Sequence, residues 1–178
     1  MMNQHAQLQK ENVMRKIRVE KINLNLGVGG SGDKLDKALK LLEKITGRKP
    51  VAVATKKRIP TWGLRPGLQI GARVTMRGKK AESLLGNLLK AVDSKMKESS
   101  FDDAGNVSFG IAEYINIPGV KYDSEIGIIG FEVAVTLQRP GFRVKRRRMM
   151  QRKVGRKHRI THAEAIAFMK ERFGVHVE

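Results

Sequence analysis

The chain of 178 residues contains no cysteine. That excludes disulfides and any Cys-based zinc site, and it suits a reducing compartment. No stretch approaches the ~20 consecutive apolar residues that a membrane-spanning helix needs. The segment from Met1 to Lys16 is polar and lacks the apolar run of a secretory signal. A soluble intracellular protein is therefore expected, of a length suited to one domain with a real core.

Catalytic patterns are missing as well. His5, His158, His162 and His176 do not pair with a carboxylate or with each other at metal-ligand spacing. His158 sits in a basic run and is expected to touch phosphate or solvent. No serine lies in a nucleophile-elbow context. Asp102 and Asp103 are adjacent but have no companion carboxylates of the kind a metal nuclease uses. Neither metal, cofactor nor enzymatic activity is expected.

Acidic residues are scarce where basic ones are dense. The chain has 36 Lys and Arg against 17 Asp and Glu, a formal net charge of +19. Residues 55–80 hold Lys56, Lys57, Arg58, Arg65, Arg73, Arg77, Lys79 and Lys80 and no acid. Residues 143–159 hold Arg143, Lys145, Arg146, Arg147, Arg148, Arg152, Lys153, Arg156, Lys157 and Arg159, again with no acid. No core holds that much like charge without a counter-charge, so these segments face water or a polyanion. Lys and Arg that replace the counterions of a nucleic acid gain free energy by releasing them. Residues 101–132 run the other way, with Asp102, Asp103, Glu113, Asp123, Glu125 and Glu132 against Lys121. That segment should avoid nucleic acid and suits a basic protein.

The periodicity places these charges on a fold. Residues 17–26 alternate as a strand, with Ile22, Leu24 and Leu26 inward and Lys21, Asn23 and Asn25 outward. Asp33 to Thr46 reads as an amphipathic helix with Leu35, Leu39, Leu42 and Ile45 on its apolar face and Gly47 as a stop. Val51 to Ala54 is a short strand, and residues 55–66 form a loop. Residues 69–77 alternate, with Ile70, Ala72, Val74 and Met76 inward and Gln69, Arg73, Thr75 and Arg77 outward. A second helix is expected over residues 80–98, two strands over 107–117 and 126–138, and a last helix opened by the capping-box pattern Thr161-x-x-Glu164. The order suits an α+β fold: a largely antiparallel sheet with helices packed on one face, and long basic loops. The open face would be polar and basic, with no acid, and a plausible RNA platform.

Two motifs allow more than one reading. Gly27-Val-Gly-Gly-Ser-Gly32 matches G-x-G-x-x-G between a strand and a helix. A dinucleotide site would then want an acid ending the second strand, but that strand ends Ala54-Thr55-Lys56. A tight turn approaching a phosphate or a neighbouring element fits better. Trp62, in the first basic loop, could stack on a base or fold back as the loop's anchor. Three function classes follow: an RNA-binding protein, a DNA-binding chromatin protein with the same charge but no need of a polar sheet face, and a nucleotide-dependent enzyme resting on Gly27, Gly29 and Gly32.

Several segments carry a resemblance. Residues 21–29 (KINLNLGVG), 45–50 (ITGRKP), 64–78 (LRPGLQIGARVTMRG) and 105–115 (GNVSFGIAEYI) resemble, in order, the large-subunit ribosomal protein "L-five" family, which is "L-eleven" in eukaryotes. The resemblance covers roughly residues 15–175. The ending GRKHRITHAEA, 155–165, is similar to the archaeal and eukaryotic branch. The resemblance implies a cytoplasmic protein that binds 5S rRNA in the central protuberance of the large subunit. Asn25, Thr75 and Arg48 fall on the family's RNA-contact positions; bacterial members often carry Gln at the last, which keeps a donor but changes the contact. With Asn23, Gln69, Arg73 and Arg77 these make the expected 5S rRNA surface. The loop with Lys56, Lys57, Arg58, Trp62 and Arg65 corresponds to one that approaches the P-site tRNA. The ten cations of 143–159 would clamp phosphates of large-subunit rRNA. Asp102, Asp103, Asp123 and Glu125 overlap the region that would meet a small-subunit head protein, and neighbouring large-subunit proteins are implied too. Residues 15–178 are expected to be a single domain, and residues 1–14 an extension with no assigned role.

Overall fold

A computed structural model describes residues 12–178. Residues 1–11, with His5 and most of the extension, lie outside the described residues. The chain enters through a single 3-10 turn, Val13–Arg15, capped by the Asn12 side chain, whose Oδ1 accepts from the Met14 amide.

Five strands form one sheet: β1 (Arg18–Gly27), β2 (Val51–Ala54), β3 (Gln69–Met76), β5 (Asn106–Ile111) and β6 (Phe131–Gln138). Their order is β2-β3-β1-β6-β5 and every neighbouring pair is antiparallel. A separate pair, β4 (Lys95–Met96) and β7 (His176–Val177), is parallel. The helices are α1 (Asp33–Thr46), α2 (Lys79–Lys90), the single turn α3 (Arg143–Arg146) and α4 (His162–Phe173). The expected α+β sheet with helices on one face is what forms.

Alternation decides which face is covered. Ile22, Leu24 and Leu26 of β1, Ala72, Val74 and Met76 of β3, and Val133, Val135 and Leu137 of β6 are buried in one core. That core also takes Leu35, Ala38, Leu41 and Leu42 of α1, Leu85, Leu88 and Leu89 of α2, and Ala165 and Met169 of α4. The α1 stripe is thus rotated from the expected one: Leu39 and Ile45 sit at its edge and are half-buried. The opposite face carries the out-pointing residues of each strand, and the single turn α3 reaches it at Gln138 through Arg146.

Three boundaries differ from the periodicity. The second helix ends at Lys90, not near residue 98. Asp93 and Ser94 take left-handed φ values of 52° and 55°, and the Ser94 amide donates back to the Leu89 carbonyl. Asp and Ser are poor helix formers and tolerate that turn. Met96, expected on the helix stripe, is instead buried from β4. The two strands expected at 107–117 and 126–138 shorten to β5 and β6. Residues 112–130 between them form a loop pinned by Tyr114, which is fully buried and whose hydroxyl accepts from the Asp123 amide at 2.9 Å. Gly130 closes that loop so tightly that a Cβ would lie 2.6 Å from the Ala112 carbonyl oxygen.

Candidate nucleic-acid interface

The open sheet face is built by strand register. Asn23 lies opposite Thr75, and Asn25 opposite Arg73, across the β1–β3 ladder. The Thr75 hydroxyl donates to Asn23 Oδ1 at 2.7 Å. That bond fixes the Asn23 amide and turns its NH₂ group away as a free-standing donor direction, while Thr75 keeps its acceptor lone pairs. Gln69, Arg73 and Arg77 are exposed on the same side. Arg48 leaves the end of α1 beside this patch. With Lys49, Val51, Arg73 and Thr75 it lines a shallow cationic groove along β2 and β3.

The face is not free of acid, contrary to the expectation. Glu132 of β6 lies opposite Asn25 and accepts from its Nδ2 at 3.4 Å. Glu132 therefore disfavours phosphate at its own position, and the groove of Arg48, Lys49 and Arg73 places cations on the β2–β3 side. The glycine turn is settled in favour of a neighbouring element. The Val28 and Gly29 amides donate to the Ile70 carbonyl at 2.9 and 3.0 Å. β3 lies between β1 and β2, so this is a split βαβ arrangement without adjacent parallel strands.

In the first basic loop, Ile59 and Leu64 pair as an isolated bridge around a 3-10 turn, Pro60–Trp62. Leu64 is buried and anchors the loop; Trp62 is 72% exposed and does not fold back. Lys56, Lys57, Arg58 and Arg65 are exposed around it.

All ten cations of 143–159 are exposed, but three are partly engaged. Arg146 pairs with Glu20 at 2.5 Å and donates to Gln138 at 2.8 Å. Glu20 is the extra residue of a bulge in β1, its side chain only 10% exposed. Arg147 donates to the Met150 carbonyl and Arg159 to the Val154 carbonyl. The base of the run is held by Arg139, a buried cation. It donates to the carbonyls of Arg15 (3.1 Å) and Arg159 (2.9 Å) and to the Glu164 carboxylate at 2.7 Å. Glu164 also closes the capping box of α4 with Thr161. Burial alone would raise the Glu164 carboxyl, but the Thr161 amide and the Arg139 guanidinium hold it below the usual range. His158, expected to face phosphate or solvent, is instead folded in. Its Nε2 lies 2.7 Å from the Pro140 carbonyl oxygen and its ring meets Phe142 edge-on.

The acidic residues are less free than their composition suggests. Asp102 closes a turn, accepting from the Ala104 and Asn106 amides at 2.8 and 2.7 Å and from the Asn106 side chain. Partial burial works against its ionisation, but those Asn106 and Ala104 bonds prevail and hold the carboxyl below its ordinary value. Asp123 pairs with Lys44 at 2.9 Å, and Glu125 with Lys40 at 3.3 Å, both lysines on α1. The Lys44 hydrogen bond leads in lowering the Asp123 carboxyl. Asp103 is exposed. Among the described residues no cluster of His, Asp or Glu could hold a metal, and no helix is long and apolar enough to cross a membrane.

Two family models match this chain. "Ribosomal protein L5" matches residues 12–65, and the model of the same ribosomal family's C-terminus matches residues 69–168. The chain belongs to the ribosomal protein L5 family. Among similar proteins, "Large ribosomal subunit protein uL5" of Nanoarchaeum equitans is 55% identical over 94% of this chain and 99% of its own. Those of Sulfurisphaera tokodaii and Sulfolobus acidocaldarius are 52% and 49% identical, over 96% and 93% of this chain and 97% and 93% of theirs. As an L5-family member the chain is a structural, RNA-binding constituent of the large ribosomal subunit and not an enzyme, at work in the cytoplasmic ribosome.

For an L5-family chain, three groups of residues escape a reading by charge and alternation. Lys49 is exposed in the groove beside Arg48 and carries the same signal, a cation after a helix stop. Lys40 and Lys44 are spaced one helical turn apart, which could have announced a shared partner. Arg139 gave no signal, because a cation next to a basic run looks like part of it.

Proposed function

We propose that the chain binds 5S rRNA in the central protuberance of the large subunit through the β2–β3–β1 side of its open sheet face. Asn23, Asn25, Arg48, Gln69, Arg73, Thr75 and Arg77 supply hydrogen bonds and cations there. The observation that carries this reading is the fixed pair Asn23–Thr75 beside the Arg48–Arg73 groove, a preorganised polar surface on the uncovered side of the sheet. Flexible surface cations set affinity and salt dependence; a fixed amide and hydroxyl set selectivity.

The rest of the molecule is assigned around that surface. The loop bearing Trp62, Lys56, Lys57, Arg58 and Arg65 lies near the P-site tRNA, where an exposed indole can stack on a nucleotide. The cations of 143–159 hold phosphates of large-subunit rRNA. Asp102, Asp103, Asp123 and Glu125 mark the side that contacts a small-subunit head protein. Neighbouring large-subunit proteins complete the surroundings, and residues 15–178 act as a single domain. Chemical probing of 5S rRNA with and without the intact chain tests the central assignment. A discrete protected region that Asn25→Ala with Thr75→Ala erases is expected. Uniform weak protection along the whole RNA would count against it.

A further inference from the structure

The basic run carries something its charge does not explain. At its tip stand Met149 and Met150, 78% and 76% exposed, more than any other large hydrophobic side chain among the described residues. An apolar pair in water with no packing partner gains nothing from folding. Yet the structure holds it in place. Met150 takes a left-handed φ of 52°, and its carbonyl accepts from Arg147 Nε at 2.9 Å. The Gln151 side-chain amide donates to the Lys145 carbonyl, and the Arg152 amide to the Val144 carbonyl at 3.2 Å. Below the tip, Arg146 ties the neck to Glu20 and Gln138. At the base, Arg139 and His158 join residues 139–140 to 158–159. So the two methionines are presented by a loop fixed at tip, neck and base.

We propose that Met149 and Met150 form an apolar wedge that packs against an exposed base face of ribosomal RNA, inside the phosphate grip of the surrounding cations. This rests on the reading of 143–159 as an rRNA-binding segment. The occupant follows from the chemistry of the frame. Arg143, Lys145, Arg148, Arg152 and Lys153 bring a polyanion to the tip. The apolar surface that RNA offers is the face of its bases, open at helix ends, bulges and loops. A thioether side chain is unbranched and polarisable, and it makes favourable contacts with rings. Apolar side chains inserted at a base step are a known way for a basic protein to gain shape selectivity. Because the loop is already fixed, little ordering cost opposes the contact.

The test uses the intact chain and deproteinised large-subunit rRNA with its 5S component, titrated over a salt series. Met149→Gln with Met150→Gln keeps length and charge but removes the apolar surface. It should bind roughly tenfold more weakly at every salt concentration, with the salt slope unchanged. Met149→Leu with Met150→Leu should stay within about twofold of the parent, since the swap conserves apolar volume. Both pairs are exposed, so the thermal transition should not move. A Gln pair that binds rRNA like the parent overturns the wedge. So does a Gln pair that keeps rRNA affinity but loses binding to anionic vesicles or to a ribosomal protein fraction, because the tip then serves another partner. Arg148→Glu with Lys153→Glu separates the two levels. If that pair alters neither affinity nor slope, the rRNA reading of the whole segment has failed, not the wedge alone.

Discussion

Arg139 shows how far a residue can depart from its neighbourhood. It lies four positions before a run of exposed cations, yet its side chain is 4% exposed and its hydrogen bonds go to the protein's own carbonyls and Glu164. Removing one partner of a buried, hydrogen-bonded charge pair is costly because it strands the other groups. Arg139→Met should therefore destabilise the fold by about 3 kcal/mol, toward the lower end for such pairs because Glu164 stays partly in water. Urea denaturation measures it. Glu164 adds a pH dependence. Its carboxyl is held below the ordinary 4.5, so its contribution is full above that value and is lost as pH falls through the depressed one. Glu164→Gln should flatten the loss of stability as the pH falls below 4.5. On the open face, Asn25→Ala with Thr75→Ala should lower the preference for 5S rRNA more than it lowers salt dependence. If only the salt slope changed in a filter-binding series, the sheet face would not be the selective surface.

At the scale of elements, regular periods were legible and exceptions were not. β1, β2, β3, α1 and α4 lie where alternation, helical spacing and the Thr161–Glu164 box put them. The departures fall where apolar residues continue past the end of an element. Val92 and Met96 extend the α2 stripe on paper, but the helix ends at Lys90 and two left-handed residues, Asp93 and Ser94, follow. Ile115, Ile117, Ile126 and Ile129 look like strand residues, but they pack a loop against the core. Site residues were legible where charge faces outward. They were not where a charge is spent on another residue of the same chain, as with Glu132 on Asn25 or Lys40 and Lys44 on the acidic loop. That pairing sharpens one prediction. Asp123→Lys with Glu125→Lys should weaken joining to the small subunit in a sedimentation assay while 5S rRNA binding holds. Adding Lys40→Glu and Lys44→Glu restores the internal pairs and should not restore joining. If it does, the acidic loop matters for its local structure and not as a protein contact.

The molecule as a whole separates its charges. Cations occupy the β2–β3 side of the sheet, the loop around Trp62 and the run beyond β6. Glu113, Asp123 and Glu125 lie in the loop between β5 and β6, and Glu132 lies on the β6 part of the open face. The long basic run is the densest part of that field, but it is not a uniform one. Arg146, Arg147 and Arg159 brace it, Arg139 and His158 close its base, and its tip is apolar. Affinity follows from the field, which any nucleic acid feels. We propose that the preference for 5S rRNA comes from fixed groups on the sheet. Competition between 5S rRNA and duplex DNA of equal charge, over a salt series, tests that division most directly. The preference for 5S rRNA should persist, and grow in relative terms, as salt weakens both. Equal affinity for the two at every salt concentration would contradict it.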